Sequence, residues 1–100
     1  MIDRTFRALA DPTRRHILRL LKHRDLAAGD LAGHFDMAFA SVSHHLQVLR
    51  DSGLVQSKRD GQFIIYSLNT TVFQDALQHL MAIAGKAPSK KPTPRARGDS

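Results

Sequence analysis

The sequence predicts a mainly α fold carrying a single β-hairpin, and three observations predict it. Apolar residues recur at helical spacing near the start of the chain, through 39–52 and again through 70–84. After Gly53 the period drops to two, in LVQSKRDGQFIIYSL, around an Asp60-Gly61 pair. Helix punctuation separates these segments: Asp11-Pro12 ahead of one, Gly53 and Gly85 behind two others.

Taken in order, Ile2, Phe6, Leu9 and Ala10 lie at helical spacing and predict a short amphipathic helix over 2–10. Asp11 suits an N-cap, and Pro12 suits the first helical position, where its missing N–H costs nothing. Ile17, Leu18, Leu20 and Leu21 then make a broad apolar face, so the helix should reach His23. Arg14, Arg15, Arg19 and Lys22 are expected on its solvated side. LAAGDLAGHF predicts a shorter helix over 28–35, with Leu31, Ala32 and Phe35 as its buried stripe. The stretch DMA breaks it, since Asp36 tolerates a left-handed turn. The next helix, 39–52, carries Val42, Leu46 and Leu49 at i, i+4, i+7, and Gly53 closes it as a C′ glycine.

In the hairpin, a two-residue Asp60-Gly61 turn would pair Arg59 with Gln62, Ser57 with Ile64 and Val55 with Tyr66. That turns Val55, Ile64, Tyr66 and Leu68 to one face, inward. The final helix starts at Thr70 or Thr71 and ends at Gly85. Its stripe of Val72, Phe73, Ala76, Leu77, Leu80, Met81 and Ala84 is wider than a small domain's own core needs, and is read as a dimer seam. Residues 1–85 thus form one domain. Residues 86–100 carry Pro, Lys and Arg without apolar period and are expected to be a disordered basic tail.

Composition narrows the function. There is no Cys, which excludes disulfides, thiolate metal sites and thiol redox chemistry. No apolar run approaches the roughly 18 residues of a membrane helix, and the N-terminus lacks a signal-peptide core. A cytoplasmic protein is the expectation. The net charge of +6 points to a polyanionic partner. Most of that excess lies in 86–100, where five Lys and Arg face one Asp; the folded part is only mildly basic. No nucleophile motif, phosphate loop or paired-acid pocket is visible, so an enzyme is not expected.

Three helices followed by a hairpin make the winged helix-turn-helix arrangement. In the helix 39–52 one edge is apolar and the opposite edge is small and polar: Ala40, Ser41 and His44, flanked by Ser43 and Gln47. Small residues let a helix seat deep in a major groove, where hydroxyl, imidazole and amide groups reach base edges. Phe39, at the start, suits a thymine methyl or a packing role. Lys58, Arg59 and Gln62 at the hairpin tip suit backbone phosphates. His44 and His45 stand about 100° apart around the helix, so they cannot jointly hold one ion. His44 faces outward as a reader. His45 flanks the buried edge and is expected to be a packed histidine bonded to backbone.

The stretches LADPTRRHILRLL, SVSHHLQVLRDSGLV and RDGQFIIYSL, in that order, resemble the ArsR/SmtB family of bacterial winged-helix repressors. Within it the chain is most similar to the SdpR type of autorepressor. The resemblance implies a homodimer built on the first and last helices, through Ile2, Phe6 and Leu9 and through Val72, Phe73, Leu77, Leu80 and Met81. It implies an inverted-repeat double-stranded DNA operator, with 39–52 in the major groove and the wing on the flanking backbone. It also implies repression of a small operon, often the regulator's own. The family's metal positions fall on Ala27 and Gly29, and on Thr70, Val72, Ile83 and Lys86, a poor ligand set for zinc. No metal or cofactor is therefore expected. Two alternatives stay open: a metal or ligand sensor with a non-standard site, and control by sequestration on a membrane-protein partner. Ala27 and Ala38 stand at N-cap positions where the family usually has Thr or Ser, each loss costing about 1 kcal/mol.

Overall fold

The computed structural model describes residues 2–85, with Ile2 described in its backbone alone. The expected tail over 86–100 and the side chains of Ile2 and Lys86 lie outside the described residues. Among these residues, five helices and three strands follow one another: α1 (Ile2–Leu9), α2 (Pro12–His23), β1 (Leu26–Ala27), α3 (Ala28–Ala32), α4 (Phe39–Ser52), β2 (Val55–Asp60), β3 (Phe63–Leu68) and α5 (Thr70–Ala84). The expected winged helix-turn-helix architecture is present. No described helix is long and apolar enough to cross a membrane.

Local chemistry explains most boundaries. Asp11 caps α2 by accepting from the Arg14 amide at 3.1 Å, and Pro12 follows it. Gly53 ends α4 in the left-handed region, φ +86°, with its N–H on the Arg50 carbonyl. Asn69 caps α5 by accepting from the Val72 amide at 3.3 Å. Helix α3 is shorter than expected, stopping at Ala32. Gly33, His34 and Phe35 continue as turns, His34 N–H bonding to Leu31 O and Phe35 N–H to Ala32 O. Phe35 still packs against the core, edge-on to His16 with ring centroids 4.9 Å apart.

The hairpin register differs from expectation. Val55 pairs with Leu68, Ser57 with Tyr66, Arg59 with Ile64 and Asp60 with Phe63. The loop is therefore Gly61-Gln62 rather than Asp60-Gly61. A right-twisted two-residue loop wants a positive φ at its first position, and Gly61 supplies φ +65° there. Partners move by two residues, so each side chain keeps its face. Val55 is buried, and Tyr66 and Leu68 pack on the core as expected. Strand β1 was not anticipated. It pairs antiparallel with β3, Leu26 opposite Tyr66, giving the sheet order β1-β3-β2.

One core holds these elements together. Ala8 comes from α1, Ile17, Leu18 and Leu21 from α2, Leu31 from α3, Val42, Leu46 and Leu49 from α4, then Leu54 and Val55. Two buried hydroxyls complete it. Thr5 Oγ1 donates to the Ser52 carbonyl at 3.4 Å, and Ser52 Oγ donates to Leu49 O while accepting from Leu54 N–H. These bonds tie α1 to the end of α4.

Candidate nucleic-acid interface

Helix α4 is divided by face. Val42 and Leu49 are fully buried and Leu46 is 1% exposed, whereas Phe39, Ala40, Ser41, Ser43, His44 and Gln47 are all exposed. The three anchors bolt the helix to the core and leave the small polar edge free for a groove. Phe39 is 56% exposed, which removes the core-packing alternative. Gln47 donates to Asp51 Oδ1 at 2.9 Å, so a base contact from it requires that bond to be exchanged.

The N-terminus of α4 has no acid in its first turn, and Ala38 makes no side-chain cap. The Ser41 and Val42 amides bond back to the Ala38 carbonyl. The helix dipole at this end favours a phosphate oxygen. Ala38 adopts φ −61°, ψ 145°, a conformation a capping serine shares. Ala38→Ser is expected to raise stability by about 1 kcal/mol, seen as a higher unfolding midpoint in a thermal melt. Ala27 likewise caps α3 without a side-chain bond.

The wing presents Lys58, Arg59 and Gln62, all exposed, with Arg59 Nη1 donating to Gly61 O at 3.4 Å. Beside them stands Phe63, 54% exposed, which the sequence reading passed over. Its one signal was position: an aromatic next to a hairpin tip.

Two expectations are corrected on the side of α4 that faces α2. Arg14 and Arg15 are not simply solvated. Arg14 Nε donates to Ala8 O at 2.8 Å and Nη2 to Arg7 O at 3.0 Å, and Arg15 Nη1 donates to Leu9 O at 2.9 Å. They close the C-terminus of α1, whose last carbonyls lack intrahelical donors. His45 is half-buried, as read, but its partner is a side chain: Nδ1 lies 3.1 Å from Arg14 Nη1 and 3.8 Å from Asp11 Oδ2. No spacing in the sequence shows that α2 and α4 meet there.

Burial opposes ionisation of Asp11, but the Arg14 amide, the charges of His45 and Arg14, and the Thr13 amide together outweigh it. The carboxyl is held below its ordinary value. The folded state thus binds this proton less well than the unfolded chain. The cap contributes stability above the unfolded pKa and loses it as pH falls through the folded one. Asp11→Ala is expected to cost about 1 kcal/mol at neutral pH. The gap to wild type should close as acid protonates Asp11, measured by urea unfolding at several pH values.

The residues expected to form a dimer seam sit in two groups. Leu9, Val72 and Phe73 are half-buried and pack on the core, and Phe6 and Met81 are half-buried. Leu77 is 42% exposed, Leu80 51% and Ile83 77%, the last not anticipated as a seam residue. A groove of about 680 Å³ runs between α2 and α5, floored by Leu18, Phe73, Leu77 and Leu80. Among the described residues, no group of three or more His, Asp or Glu is placed to hold a metal ion.

Comparison with known proteins bears on this geometry. Residues 11–57 match the model of bacterial regulatory proteins of the arsR family. The chain is 47% identical over 85 residues to the transcriptional repressor SdpR of Bacillus subtilis, covering 85% of this chain and 94% of that protein. It is 39% identical over 75 residues to the arsenical resistance operon repressor of Staphylococcus aureus, covering 75% and 72%. Among solved structures, an ArsR-like transcriptional regulator from Rhodococcus sp. RHA1 superposes with TM-score 0.74 at 30% identity, covering 84% and 79%. The homodimeric winged helix-turn-helix DNA-binding domain of Mb0332 from Mycobacterium bovis superposes with TM-score 0.69 at 28% identity, covering 84% and 78%. With its fold and these relatives in agreement, the chain belongs to the arsR family of bacterial regulatory proteins.

Proposed function

We propose that this chain is a transcriptional repressor that binds an inverted-repeat operator as a homodimer and controls its own operon. Helix α4 enters the major groove through Phe39, Ala40, Ser41, Ser43, His44 and Gln47. Lys58, Arg59 and Gln62 of the wing contact the flanking phosphates. The seam is formed by α1 and α5, through Phe6, Leu9, Val72, Phe73, Leu77, Leu80 and Met81.

The observation that carries this reading is the division of α4, with three anchors buried while every predicted reader is exposed. The likeness to a repressor over nearly its whole length supports it. So does the likeness to a homodimeric DNA-binding domain. Operation without metal at the family's usual positions is supported by the residues there. Ala27, Gly29, Val72 and Ile83 carry no thiolate, imidazole or carboxylate.

The test is a fluorescence-anisotropy titration on the chain's own promoter DNA. Binding at least 1,000-fold tighter than to random duplex at the same salt is expected, on the order of specific readout generally. Equal affinity for both would refute specific repression.

A further inference from the structure

Arg14 links three elements. Its guanidinium, carried by α2, holds the Ala8 and Arg7 carbonyls at the end of α1 and meets His45 of α4. A guanidinium has donors only. His45 Nδ1 must therefore accept, and the ring hydrogen sits on Nε2. The same Nδ1 lies 3.8 Å from Asp11 Oδ2. The charged or titratable partners of His45 among the described residues are these two and His44 on its own helix, ring centroids 5.9 Å apart. Helix α1 reaches it through backbone carbonyls held by Arg14. The other elements packed on α4, α3 and β2, bring it no ionic partner among the described residues.

We propose that the Arg14–His45 contact is a positioning joint that holds reader helix α4 against helix α1, and that protonation of His45 opens it. The inference rests on the reading of α4 as the DNA reader and α1 as part of the dimer seam. A proton from solvent taken up at Nδ1 removes the lone pair that accepts from Arg14. It also places a second positive charge beside the guanidinium. The new N–H lies along that lone pair, toward the guanidinium, so the ring must turn away from Arg14 before it can donate to Asp11 Oδ2, 3.8 Å from the same nitrogen. In a dimer, the distance between the two readers is set through α1. A loosened joint therefore weakens operator binding more than non-specific phosphate binding.

The experiment compares wild type, His45→Asn and His45→Ala on operator DNA by anisotropy, at constant ionic strength, from pH 7.5 to 5.5. Histidine is the side chain that changes charge across this range. The Asn carboxamide oxygen stands near the Nδ1 position and accepts at every pH. His44 is present in all three proteins, so the ratio of wild-type to His45→Asn affinity cancels its effect. That ratio is expected to fall about tenfold over the range, the scale of one hydrogen bond to a charged group. His45→Ala should bind weakly throughout while keeping its helical circular dichroism. A constant ratio, or His45→Ala binding as tightly as His45→Asn, would overturn the joint. The ring ¹⁵N shifts of His45 in the free protein provide a readout without DNA. The Nε2–H tautomer is expected at pH 7.5, and an Nδ1–H tautomer would also overturn the joint. If wild type binds operator no better than random duplex, the reader assignment fails, and the tautomer still decides the joint.

Discussion

Leu80→Asp is expected to convert the protein to a monomer and to lower operator affinity at least 100-fold. Leu80 is 51% exposed on α5, between Leu77 at 42% and Ile83 at 77%. Residues three apart on a helix share a face, so these three form one apolar ridge. A small domain gains by burying such a ridge against a second copy, and a carboxylate at its centre cannot be buried unpaired. In the proposed dimer each protomer presents one copy of α4, and joining two such DNA contacts multiplies affinity by about 10² to 10⁴ without any new base contact. Loss of the seam forfeits that factor. Sedimentation equilibrium reads the mass and anisotropy reads the affinity. Helical circular dichroism should be unchanged, because the fold of one protomer does not bury this side chain. A dimer that persists in Leu80→Asp would remove α5 from the seam.

Leu46→Ala carries the second large effect. Leu46 is 1% exposed and is among the largest fully buried side chains, packed with Val42 and Leu49 beneath the reader. Truncation loses the transfer energy of the removed carbons and leaves a cavity that the core fills only in part. The cost should be about 3 kcal/mol, a large share of the roughly 5–15 kcal/mol that holds a domain folded. In urea the midpoint should drop by roughly 1–3 M. The comparison is made at equal protein concentration, since a dimer's stability depends on it. A shift no larger than that of a surface substitution would mean that α4 is anchored by something else.

Much of this fold is local and was therefore legible. Asp11-Pro12 marks a helix start because one residue caps and the next needs no donor. Val42, Leu46 and Leu49 mark a buried edge because their spacing follows the helix turn. Gly53 and Gly85 mark helix ends because each adopts a positive φ. The outward face of α4 followed from the same periodicity, and Phe39, Ala40, Ser41, Ser43, His44 and Gln47 are exposed on it as expected.

What was not legible depends on pairing at a distance. Strand β1 has two residues, too few to show a period, and exists because β3 offers an edge at Leu26 and Ala27. The hairpin loop slid by one residue because Gly61 serves better than Asp60 at the first loop position. Its faces survived because the pairing moved by an even number of residues. Arg14 read as a surface arginine because nothing in the sequence says that α1 ends beside it. His45 was recognised as packed, but its partner lies 31 residues away on another helix. Val72 and Phe73 also pack partly on the core, while Ile83 is 77% exposed, a division that helical spacing alone does not give.

The central claim is that two copies of α4 read two half-sites of one operator. Hydroxyl-radical footprinting of the protein on the DNA upstream of its own gene tests it most directly. Two protected half-sites related by a dyad are expected, their centres about 10 bp or a multiple of that apart, as two-fold symmetric DNA contacts require. Protection confined to one half-site, or none above the level of random sequence, would contradict it.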